Sequence, residues 1–295
     1  MRLLSFKAIT LAVIVAIIFI LFQYTQQENK AMPTPQNVTL HFGQQGVEDF
    51  TTYTGGNVDV QPAGMSFFDL DWTPPNLGTV SIAHGGHTLT IDNAFSVLGN
   101  SKNNNVSKGI IGISINSGLN KAEFVEPKEA YLAYKELLTR INQSGWQQYY
   151  TNSEPRISEL DNLKFINEHR EVIDSSYILT YEEWLNVFKN DAHQDLNFNL
   201  YLDGIILWVW LRKADENEKE EEQYMLRFSF ETAGYVDRNV LESGFDLNGA
   251  ALRAAHEKNV EEDLGIRSTR ESELIEEGYR IKKNYETPDS WKYMQ

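Results

Sequence analysis

The feature that most constrains this chain is an apolar run close to its N-terminus. Residues 8–22 read AITLAVIVAIIFILF, with Thr10 the only polar side chain among them. As a helix this run would rise about 22 Å, short of a hydrocarbon core of about 30 Å. Leu3, Leu4 and Phe6 close the gap if Lys7 snorkels toward the headgroups. Arg2 and Lys7 precede the run and few basic residues follow it closely, so the positive-inside rule leaves the N-terminus in the cytoplasm. A cleaved signal peptide has the same layout, but cleavage asks for small residues after the run, and here Phe22-Gln23-Tyr24-Thr25 follow. The expectation is a signal anchor over residues 1–24, in the membrane through residues 3–22, and a polar tether over 25–36 that carries Pro33 and Pro35. The absence of cysteine excludes disulfides, thiolate nucleophiles and zinc–cysteine sites. An exported chain without disulfides fits a bacterial envelope. The expected placement is a single-pass inner-membrane protein with its globular part in the periplasm.

Charge narrows the partners. With 42 acidic and 26 basic residues the net charge is −16, which disfavours nucleic acid and anionic lipid headgroups and suits a basic protein partner. Hydrophobic residues at 41% supply a real core, so general disorder is excluded.

Patterning then predicts an α+β fold: the N-terminal membrane helix, a β-rich region, an antiparallel sheet with packed helices, and a helical C-terminal segment. Residues 37–120 read as β structure, most clearly at 79–91, where Val80, Ile82, Leu89 and Ile91 alternate around the turn Gly85-Gly86. Residues 121–250 mix helix and strand. Pro127 stands at a first helical position before Ala130, Tyr134, Leu137, Leu138 and Ile141. Thr180-Tyr181-Glu182-Glu183 is a capping box. Leu196, Phe198, Leu200 and Leu202 alternate into the turn pair Asp203-Gly204, residues 205–211 form a continuously apolar central strand, and Tyr224, Leu226, Phe228 and Phe230 alternate again. Residues 251–295 read as a charged helical segment, with a second capping box at Ser268 and Glu271 and basic residues Arg280, Lys282 and Lys283 in its last turn.

The candidate chemistry is sparse, and no cofactor is expected. His84 and His87 flank a tight turn and could converge on a metal with His41 or Asp92, but zinc needs three or four ligands and spacing places two; a hairpin is the simpler reading. Asp69-Leu70-Asp71 lacks the rest of a calcium loop. Gly112-Ile113-Ser114-Ile115-Asn116 lacks the second glycine and the helix start of a nucleophile elbow. What remains is a binding surface: the acidic loop with Asp215, Glu216, Glu218, Glu220, Glu221 and Glu222, next to Trp208 and Trp210, which share one strand face. The usual burial of tryptophan favours a core position for both, with the loop solvated.

The stretch Leu200-Tyr201-Leu202-Asp203-Gly204, Leu207-Trp208-Val209-Trp210 and then Tyr224 to Phe230 resembles Gram-negative envelope proteins that include immunity proteins against type VI secreted toxins. The resemblance spans about residues 126–250, has no diagnostic motif and carries over no functional residue. It implies a non-catalytic protein-binding domain that occludes a basic secreted toxin. The alternatives are an accessory or assembly subunit of an envelope complex, or an envelope hydrolase with a carboxylate pair.

Overall fold

Alternating apolar and polar side chains build one mixed sheet of ten strands in the computed structural model, which describes residues 34–103, 108–169, 173–189 and 195–295. The strands are β1 (Asn37–Leu40), β2 (Asp59–Gln61), β3 (Met65–Asp71), β4 (Gly78–His84), β5 (His87–Lys102), β6 (Ile110–Gly118), β7 (Gln147–Gln148), β8 (Asp195–Leu202), β9 (Ile205–Glu216) and β10 (Glu222–Thr232). Their order is β1-β4-β5-β6-β10-β9-β8-β7; β3 also pairs with β5, and β2 with β3. Among the described strand pairs only β1 and β4 run parallel. The β-rich region and the α+β region are joined by hydrogen bonds between β6 and β10, from Met225 opposite Gly118 to Glu231 opposite Gly112.

The period-two pattern sorts side chains onto two faces. One face carries Ile113, Ile115, Phe198, Leu207, Val209, Leu211, Leu226, Phe228 and Phe230, all buried in the main core. Helices α1 (Gly43–Thr54), α2 (Pro127–Gln143) and α4 (Tyr181–Lys189) cover it through Phe50, Tyr134 and Trp184. Between the last two in sequence comes α3 (Asn162–His169). On the opposite face, Tyr149, Ile206 and Ala233 form a smaller cluster with Trp208, Val236 and Tyr293. That cluster lies under α5 (Ala233–Val240) and α7 (Trp291–Met294), and α6 (Gly249–Glu276) runs between these two in sequence.

Several local readings hold. Gly85 and Gly86 take φ +58° and +80° at the β4–β5 turn. Pro127 opens α2, and the Thr180–Glu183 capping box is reciprocal: Glu183 N donates to Thr180 Oγ1 at 3.3 Å and Thr180 N donates to Glu183 Oε2 at 2.7 Å.

Three expectations are corrected. The fold is α+β, but among the described residues it is organised on one ten-stranded mixed sheet with seven helices, in which the expected β-rich region and antiparallel sheet are continuous, rather than on a membrane helix followed by those regions in turn. Among the described residues no helix is long and apolar enough to cross a membrane, which overturns the single-pass inner-membrane placement; residues 1–24, where the anchor was expected, lie outside the described residues. The second capping box is not a helix start either, because α6 is continuous through Ser268 and Glu271 and ends at Glu276. Glu271 faces Arg156 instead of its own helix N-terminus, with Nε to Oε1 at 2.8 Å.

The residues expected in a last helical turn bind the domain from an extended segment. Arg280 N donates to Asp161 Oδ2 at 2.7 Å, and Lys282 pairs with Glu159 at 2.8 Å and with Asp174. The Arg280 guanidinium holds the Asp161 carboxyl below its ordinary value of 3.8, and Lys282 holds Glu159 below 4.5. Both carboxylates are thus more acidic folded than unfolded. Their contribution is fully present above the ordinary carboxylate range and is lost as the pH falls through the lowered folded values. The urea midpoint is expected to hold between about pH 7 and 5 and to fall below about pH 4. Asp161→Asn should flatten that acid limb; an unchanged limb in the variant would remove Asp161 from this account.

Candidate functional site

The acidic loop is a structured hairpin joining β9 to β10. Asn217 organises its tip: Nδ2 donates to Glu221 Oε2 at 2.7 Å, and Oδ1 accepts from the main-chain nitrogens of Lys219 at 2.9 Å and Glu221 at 3.1 Å. Glu220 turns the chain with φ +62°. At the base, Glu222 is buried and accepts from Lys213 Nζ at 2.7 Å and from Tyr224 Oη at 2.9 Å. Its main chain exchanges two hydrogen bonds with Val125, at 2.8 and 3.1 Å. Glu222 is therefore a structural anchor, whereas Asp215, Glu216, Glu218 and Glu220 are exposed.

Between this hairpin and the helix layer lies a cleft of about 720 Å³. One wall carries Asp215, Glu216 and Glu220; the other carries Pro127 at the start of α2 and Tyr181, Leu185 and Phe188 of α4. Lys213 also lines it, but Glu216 at 2.6 Å and Glu222 at 2.7 Å already neutralise its ammonium. Lys189, at the end of α4, is the other lining cation. Carboxylates with low-dielectric walls concentrate negative potential and favour a cation with an apolar stem.

The two tryptophans do not join this cleft. Trp208 and Trp210 stand opposite Ser229 and Arg227 of β10 and opposite Asn199 and Asn197 of β8, on the sheet face away from α2 and α4. Trp208 is half-buried in the smaller cluster under α5 and α7. Trp210 is 37% exposed; its Nε1 donates to Asp195 Oδ2 at 3.0 Å and the Arg212 guanidinium lies 5.7 Å from its ring. Neither residue belongs to the main core, so the expectation of core burial fails because α4 covers the other face of β9.

The remaining candidates are scattered. His84 faces His87 across the hairpin, but its Nε2 contacts the Asp203 main-chain oxygen at 2.9 Å, and His41 contacts Asp49 at 2.8 Å. Among the described residues no group of three or more His, Asp or Glu could hold a metal ion. Ser114 lies mid-strand between Leu98 and Ser229. Asp69 and Asp71 point to the same face of β3, where burial first, then the charges of Asp71 and Asp59, push the Asp69 carboxyl up. Sequence reasoning missed the apolar wall of the cleft, although the capping box that starts α4 marked where it would be.

Comparison with protein-family models, with curated proteins and with solved structures finds no match. The resemblance to immunity proteins therefore finds no support from any of the three.

Proposed function

We propose that this domain is a non-catalytic protein-binding module whose contact site is the cleft between the acidic hairpin and α4. Its partner would insert a basic segment with apolar neighbours. The observation that carries this reading is the pairing, in one cleft, of three exposed carboxylates (Asp215, Glu216, Glu220) with the half-buried apolar side chains of Tyr181 and Leu185, backed by buried Phe188. Such a surface steers a cationic partner by charge and retains it by burial of its apolar stems. A rigid hairpin adds to this, since little conformational entropy is lost on docking. Binding of this kind can block a partner's working surface by simple occupancy, and a basic toxin is the partner class that the sequence resemblance adds.

The test uses the full chain as bait and then measures the captured partner by stopped-flow association. Neutralising the wall with Asp215→Asn, Glu216→Gln and Glu220→Gln together is expected to slow association about tenfold or more and to flatten its dependence on salt. A partner bound equally fast by this triple variant, or one that is itself acidic, would sink the reading.

A further inference from the structure

Where α2 crosses β5, β6 and β10, the packed layer is incomplete. A cavity of about 190 Å³ remains between the helix and the strands, floored by Ile91, Leu119, Leu226 and Phe228. On β6, Ile113 and Ile115 point into the core, and the next side chain on that face is Ser117 where the pattern asks for another apolar residue. Ser117 is 0% exposed and its Oγ has no hydrogen-bond partner. Two more buried polar atoms beside the same cavity also lack partners: Asn120 Oδ1 and Arg140 Nε. Buried polar groups are normally satisfied, so three orphans around one cavity point to an occupant.

The donor set describes that occupant. Arg140 Nε needs an acceptor, Asn120 Oδ1 needs a donor, and the Ser117 hydroxyl can serve as either. Charges of both signs surround them. Arg140 pairs with Asp92 through Nη1 at 2.9 Å, while Lys121 and Glu136 line the mouth. A bare anion or cation would leave half of these groups unanswered. The volume is that of about six waters, which limits an organic ligand to a few heavy atoms.

We propose that this cavity binds a small zwitterion of the α-amino-acid class. Its carboxylate is received by Arg140 Nε and Lys121, its ammonium by Asn120 Oδ1 with Asp92 and Glu136, and Ser117 Oγ bonds the end nearest the sheet. Asn93, held at φ +56° on the cavity rim, shapes the entrance beside Asp92. This site lies on α2 and β6 and shares no lining residue with the cleft at the acidic hairpin.

The test is calorimetric titration of the full chain with glycine, alanine and serine, and with acetate and methylamine as single-ended probes. At least one amino acid is expected to bind saturably, with the single-ended probes about tenfold weaker or more. Ser117→Ala and Arg140→Met should each weaken that binding about tenfold, while Ser117→Ala keeps or raises the melting temperature of the ligand-free protein. The absence of saturable heat up to about 10 mM of every amino acid would overturn the proposal and leave a water-filled cavity. Binding that ignores both substitutions would also overturn it, because the ligand would then sit elsewhere.

Discussion

Replacing Trp184 with Ala is expected to lower the unfolding free energy by about 3–5 kcal/mol, among the largest effects a single core substitution produces. Trp184 is 0% exposed and is the hub of an aromatic cluster, with ring centroids 4.4 Å from Phe188, 4.6 Å from Tyr134 and 5.2 Å from Tyr224. It joins α4 to α2 and to β10 at once, so no single neighbour can move in to fill the space. The melting temperature should fall by about 10 °C or more. Phe188 and Leu185 stand on the same short helix and wall the acidic cleft. Partner binding should therefore weaken in the variant even at temperatures where it remains folded. Trp184→Phe, which keeps an aromatic ring, should cost less than half as much. A Trp184→Ala protein that melts within about 2 °C of the parent would show that the helix layer is not held by this cluster.

How much of this was legible in the sequence depended on whether the signal was local. The meander β8–β9–β10 could be read because Asp203-Gly204 sets one turn and strict alternation sets the faces. Helix α1 could not: it holds Gly43 and Gly46, has three threonines in its last turn and a half, and starts at Phe42 without a side-chain cap. Phe50 holds it instead, packed 5.5 Å from the Phe68 ring and against Gly99, where an added Cβ would come within 2.5 Å of its ring. Tertiary packing overrides a poor helical sequence there. The same division runs through the site. The acidic hairpin was visible as a run of carboxylates, whereas its apolar wall comes from α4, distant in the chain. The period of the strand put Trp208 and Trp210 on one face, but which face the helices cover is decided only when the layers pack. Ser117 is the opposite case, since a polar residue at the third step of an Ile113–Ile115 row is a local break that the sequence did display.

Arg267→Met is expected to rival the Trp184 substitution, at about 3–5 kcal/mol, by a different route. Arg267 is only 5% exposed, and among the described residues its guanidinium hydrogen-bonds oxygens other than carboxylates. Its Nε donates to the Glu154 main-chain oxygen at 3.0 Å, and Nη2 to Thr287 Oγ1 at 2.8 Å and to the Thr151 main-chain oxygen. One side chain of α6 thus ties the 151–154 loop to the 287 region of the C-terminal segment. Arg156 and Glu271 run alongside: Arg156 Nη2 donates to Glu271 Oε2 at 2.8 Å, and Nη1 to the Tyr285 main-chain oxygen at 3.0 Å. Methionine would keep much of the apolar stem but leave those carbonyls without donors in a part-buried site, where the penalty exceeds the gain of an average hydrogen bond. Hydrogen exchange should then accelerate across α6 and residues 279–287 together, while the β8–β10 meander keeps its protection. A loss below about 1 kcal/mol, or exchange that quickens across the whole sheet, would mean that Arg267 is not the tie that fastens α6 and the C-terminal segment to the domain.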